Sequence, residues 1–156
     1  MAKSVTLQAE NREVARRKLV SYRAQCDIFR QLLKIVESAE SRLTSVTAQY
    51  EETRSHGVGR DTLADQISTL EDQLSRLTRV IDEQSHALDE VLWIINEIVP
   101  ENPTFASILS KRYLEPDYEP TFSEIADDMG LSESRVKHLH LEGLDLVSEF
   151  MKVSTF

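Results

Sequence analysis

Residues 61–99, DTLADQISTLEDQLSRLTRVIDEQSHALDEVLWIINEIV, decide the fold. Leu63, Ile67, Leu70, Leu74, Leu77, Ile81, Gln84, Leu88, Val91, Ile95 and Ile98 follow alternating steps of four and three, and only Gln84 interrupts the apolar seam. An apolar repeat of 3.5 residues held over about five heptads predicts a long helix packed in a coiled-coil manner, because only helical geometry keeps such positions on one side. Asp61 is placed to cap its start and Pro100 to stop it, giving a helix of roughly 58 Å at 1.5 Å rise per residue.

The same reading extends toward the N-terminus. From about Asn11 to Thr53 there is no Gly or Pro, and Tyr22, Cys26, Phe29, Leu33, Val36, Ala39, Leu43, Val46 and Tyr50 form a looser stripe. A second long helix is expected over these residues, with residues 1–9 a mobile end. Between the two helices, Gly57 and Gly59 within Arg54–Arg60 supply the positive φ angles of a reversal, so the helices are antiparallel neighbours. Charge agrees with that pairing: residues 1–60 carry a net +4 and residues 61–103 a net −8. Exposed pairs contribute only about 0–1 kcal/mol each, so the leucine-rich seam dominates stability while charge helps to set orientation.

After Pro100-Glu101-Asn102-Pro103 the heptads end, and a domain boundary is expected there. The predicted fold class is all-α: a long antiparallel helical hairpin, coiled-coil-like, over residues 1–103 (helices about 11–53 and 61–99), followed by a small helix-turn-helix domain over residues 104–156. Thr104–Leu114 reads as a short helix with Phe105, Ile108, Leu109 and Leu114 inward, stopped by the proline-flanked segment Glu115–Pro120. Thr121-Phe122-Ser123-Glu124 is a capping box, in which hydroxyl and carboxylate satisfy the free amides of a helix start. Ile125, Ala126 and Met129 then face inward, Gly130 supplies a left-handed turn, Leu131 plugs it, and Ser132 caps a second helix holding Val136, Leu139 and Leu144. Ala126 must be small because the second helix crosses close above it. This is the pattern of a helix-turn-helix.

The stretch 121–147, TFSEIADDMGLSESRVKHLHLEGLDLV, resembles the C-terminal helix-turn-helix of bacterial sigma factors, the region 4 that reads the upstream promoter element, and SKRYL before it resembles the preceding helix. The likeness covers roughly residues 104–150. A long helical hairpin followed by this module is similar in layout to phage transcriptional regulators of the RinA and ArpU type. That resemblance implies a phage or prophage regulator that activates late genes in contact with host RNA polymerase. It also implies that the first turns of the second helix enter the major groove of double-stranded DNA. By position, Glu133, Ser134, Lys137 and His138 would then face the base edges and Arg135 the backbone, with Ser132 beside them at the DNA-binding surface. Lys donates to guanine O6 and N7, Glu accepts from cytosine N4, and Ser and His serve several edges. Glu133 stands where sigma factors commonly carry a basic residue.

Electrostatics constrain this reading. The 156-residue chain has net charge −9 and residues 104–156 a net −5, so a single module binds few phosphates and is expected to bind weakly. A homodimer presenting two modules, tethering by polymerase, or phosphate contact from Arg12, Arg16, Arg17 and Lys18 would each compensate; Lys111 and Arg112 are further candidates for phosphate or polymerase. A solvated helix face suits the same four N-terminal cations slightly better. The lone Cys26 lies on the apolar stripe and reads as a core residue, and it excludes an internal disulfide. His138 and His140 are two apart and do not make a metal pair. No phosphate loop or catalytic constellation is present, so neither an enzyme nor a cofactor or metal is expected. The absence of a signal peptide or a bilayer-length apolar run leads to an expected cytoplasmic site in a bacterial host, at the nucleoid and away from membrane. Two other functions fit the layout: a phage terminase small subunit, which would form rings, and a sigma-mimicking protein that occupies polymerase without reading DNA.

Overall fold

The computed structural model describes residues 2–54 and 60–153, and among these all regular structure is helical. Helix α1 spans Ala2–Thr53 and α2 spans Arg60–Glu101. They are followed by α3 (Pro103–Leu109), a π-helical turn (Ser110–Leu114), α4 (Phe122–Met129) and α5 (Glu133–Val153). The architecture is thus a pair of long antiparallel helices followed by a small helical domain. Gly57 and Gly59, expected to make the reversal, lie outside the described residues. Helix α1 begins at Ala2 and not near Asn11, so the N-terminal segment expected to be mobile is helical instead. Its residues carry no helix breaker, and Ala15 and Leu19 anchor the segment just beyond it.

The chain forms two compact units, Met1–Cys26 with Ala87–Phe156, and Asp27–His86. In the second unit two helices are all there is to cover the seam. Leu63, Ile67, Leu74, Leu77 and Ile81 are accordingly half-buried, and only Leu70 is buried. The facing stripe of α1 departs from expectation at one position. Leu32 turns inward and Leu33 is 39% exposed, because neighbours on a helix are about 100° apart and only one of two adjacent leucines can lie on the seam.

The first unit holds the fully closed core. Ala15 and Leu19 of α1, Val91, Ile94, Ile95 and Ile98 of α2, Ala106 and Leu109 of α3, Tyr113, and Leu144 and Val147 of α5 form one cluster. Burying a side chain such as Leu19, Ile98 or Leu144 contributes about 1.5–3 kcal/mol. Pro100 does not stop α2 but sits inside its last turn, and Asn102 N–H still reaches Ile98 O at 2.8 Å. The break comes at Asn102, which the following proline forces into an extended conformation (φ −151°, ψ 91°). Its side chain then accepts from Phe105 N–H at 3.2 Å and caps α3, with Pro103 in the first turn where its missing N–H costs nothing. One residue therefore ends one helix and starts the next.

Candidate DNA-binding surface

The capping box forms as the sequence requires. Glu124 N–H donates to the Thr121 hydroxyl oxygen at 3.3 Å, and Thr121 N–H donates to Glu124 Oε2 at 2.7 Å. Donation from the Tyr118 hydroxyl, then from Thr121, holds the Glu124 carboxyl below its ordinary range. Helix α4 closes on Gly130 at φ +65°, and Leu131 N–H reaches back to Ala126 O at 2.9 Å, a left-handed cap that turns the chain into α5. Ser132 Oγ accepts from Arg135 N–H at 3.2 Å and caps that helix. Ile108, Ile125, Ala126, Val136 and Leu139 make a separate buried cluster, flanked by Phe105, Phe122, Met129 and Leu131. This miniature core fixes α5 against α3 and α4.

With Val136, Leu139 and His140 turned inward, the opposite face of α5 is left open. Ser132, Glu133, Ser134, Arg135, Lys137 and His138 are all exposed. Lys137 Nζ pairs with Glu133, and His138 Nε2 lies 3.2 Å from Glu142 Oε1, each one turn apart. Such exposed pairs are worth about 0–1 kcal/mol and give way readily to a stronger partner.

The other predicted contact residues divide. Arg12 is drawn into the scaffold: its Nε and Nη2 each approach an oxygen of Asp145 at 2.5 Å, and the carboxylate raises its pKa. Lys18 pairs with Glu90, and Lys111 with Asp128 at 2.5 Å. Arg112 pairs with Glu119 at 2.8 Å, donates to Pro120 O, and lies 4.8 Å from the Phe122 ring centroid. Arg16 and Arg17 remain on the surface and share Glu13 at 3.1 and 3.2 Å. Sequence reading missed Arg23. It donates to the carbonyls of Glu115 (2.8 Å), Tyr118 (3.1 Å) and Arg112 (3.3 Å), pinning the loop that delivers Thr121 to α4. Nothing in a single sequence marks an arginine whose acceptors are backbone carbonyls some ninety residues away.

His140 is the second residue whose role needed coordinates. It is buried, with Nε2 2.7 Å from the Tyr113 hydroxyl and its ring 5.0 Å from Phe122. Burial first, then the charges of Arg112 and Arg16, push its pKa down to about 4, while burial lifts Tyr113 to about 12. Among the described residues no cluster of His, Cys, Asp and Glu could hold a metal ion, and no helix is long and apolar enough to cross a membrane.

Residues 102–148 match the family model for sigma-70, region 4, a DNA-binding helix-turn-helix. The match covers α3, the π-helical turn, α4 and most of α5, and leaves the hairpin outside it. No curated protein and no solved structure matches the chain. The small C-terminal domain therefore matches a helix-turn-helix of the sigma region 4 type, a kind of module that binds DNA and is not enzymatic.

Proposed function

We propose that the protein is a sequence-specific DNA-binding transcription regulator, in which the first turns of α5 enter the major groove. The supporting observation is the exposed face of Ser132, Glu133, Ser134, Arg135, Lys137 and His138, backed by a buried core that holds the helix in place. Lys137 is assigned to a guanine edge, Glu133 to a cytosine amine, Ser132, Ser134 and His138 to adaptable contacts, and Arg135 to the backbone. Arg16 and Arg17, the surface members of the N-terminal cluster, are assigned to phosphate or polymerase.

The proposed setting is the nucleoid of a bacterial host, with the protein encoded by a phage or prophage as a late-gene activator that works with host RNA polymerase. A homodimer is the proposed assembly. Leu7 and Val14 in one unit, and Ile28 and Ile35 in the other, are about half exposed and form pairs seven residues apart on α1, a spacing suited to a second helix.

The test is fluorescence anisotropy on duplexes selected from random sequence. A selected duplex should bind at least about tenfold tighter than a scrambled one, and Lys137→Ala should remove about 1–3 kcal/mol of that preference. Equal affinity for selected and scrambled duplexes would refute the reading. The acidic balance of residues 104–156 favours a second reading, a protein that occupies polymerase without touching DNA. Capture of polymerase by a chain with no affinity for any duplex would establish that one instead.

A further inference from the structure

Beside the face assigned to DNA, and opening onto it through Lys137, lies a groove of about 530 Å³ between the first turns of α1 and the inner side of α5. Its volume falls in the range of small-molecule sites. Tyr113, His140 and Leu144 form its buried floor, and Phe122 and Leu141 stand at its walls. The two polar groups of the floor meet each other through the 2.7 Å Tyr113–His140 bond, so the floor presents mainly apolar and aromatic surface.

The groove's charge is opposite to that of the whole chain. Arg12, Arg16, Arg112 and Lys137 line it against one carboxylate, Glu13. Arg12 and Arg112 are held by Asp145 and Glu119, but Arg16 and Lys137 have only exposed partners one turn away on their own helices. A bound anion would exchange for those partners at little cost. At the floor, burial first and then the charges of Arg112 and Arg16 disfavour a proton on His140.

We propose that this groove binds a small amphipathic organic anion, with its aromatic or aliphatic body over Phe122, Leu141 and Leu144 and its acidic head on Arg16 and Lys137. The site does not depend on the DNA-binding reading, and its test contains no DNA. The probe is 8-anilinonaphthalene-1-sulfonate, titrated against the full chain beside the uncharged N-phenyl-1-naphthylamine, which has a similar body and no acid. One saturable sulfonate site per chain is expected, at least about tenfold tighter than the neutral dye. The double variant Arg16→Ala, Lys137→Ala should bring the sulfonate down to the neutral dye's affinity. Leu141→Glu, at a position 43% exposed, should abolish both dyes with the melting temperature kept. Amide shifts on the unaltered protein should map the sulfonate to residues 9–16 and 137–144. Non-saturable binding, equal affinity for the two dyes, indifference to both variants, or shifts confined elsewhere would each overturn the proposal.

Discussion

His140 holds a neutral imidazole at the floor of the groove, and its charge state links folding to pH. Its folded pKa of about 4 lies below the ordinary 6.5, so between those values the unfolded chain takes up a proton that the folded chain refuses. Stability is full above about pH 6.5 and falls as pH drops toward 4, by on the order of 3 kcal/mol in all. His140→Gln keeps a partner for Tyr113 without titrating. Urea unfolding from pH 7 to 4.5 should show a flatter dependence for the variant than for the wild type. Gly130 offers a different kind of prediction. Nothing lies within 4 Å of a Cβ built there, yet φ is +65°. Gly130→Ala should therefore cost about 1–2 kcal/mol from backbone strain alone, read as a lower melting temperature with an unchanged fold. The glycine's role was legible in the sequence from its place after Met129 and before Leu131. The burial of His140 was not, because its neighbour His138, of the same residue type, points to solvent.

Among the elements, legibility followed periodicity. The heptads of α2 located the inward positions from Leu63 to Ile98, since a regular repeat leaves a helix one way to pack, but they missed Ile94, which lies beside the seam and is buried in the core shared with α3 and α5. The looser stripe of α1 left Leu32 and Leu33 indistinguishable, and the structure chose Leu32. Pro100 read as a stop, whereas the helix tolerates it in its final turn and Asn102 makes the break. The widening of residues 110–114 into a π-helical turn had no sequence sign; it carries Tyr113 to His140 and Arg112 to the loop before α4, contacts made between residues distant in sequence or through a backbone carbonyl. The capping box was fully legible, being a local four-residue exchange of hydrogen bonds. Thr121→Ala removes one half of it and should destabilise the domain by about 1 kcal/mol, measurable as a shift in the urea midpoint with the slope unchanged.

At the level of the whole molecule the deciding quantity is the small number of cations left for a polyanion. In the leading turns of α5, the face offered to DNA carries Arg135 and Lys137, and Lys152 lies at the far end of the helix. Each neutralised phosphate contributes about −0.9 to the slope of log affinity against log salt, so one module should give a slope near −2 and a dimer near −4. Anisotropy titrations across a salt series check this, and a slope steeper than about −5 would bring Arg16 and Arg17 into the interface. Sedimentation equilibrium should give twice 17.8 kDa. A monomer would leave the half-exposed apolar residues of α1 without a partner, and a ring of eight or more would point to DNA packaging. The family of the C-terminal module was legible in residues 121–147, since its turn chemistry is local. The packing of that module against the start of α1 was not, because Arg12 and Asp145 meet across more than a hundred residues.

Helix α5 runs unbroken from Glu133 to Val153. Its leading turns carry the face offered to DNA, while Leu144 and Val147 are clenched among Leu19, Val91 and Ile98. Near its middle Gly143 has no Cβ, and one built there would sit 3.2 Å from Leu109 Cδ1, so the rod beds closely on α3 at that point. It is one rod bedded at both ends, its leading turns on α3 and α4 through Val136 and Leu139 and its far turns on α1 and α2 through Leu144 and Val147.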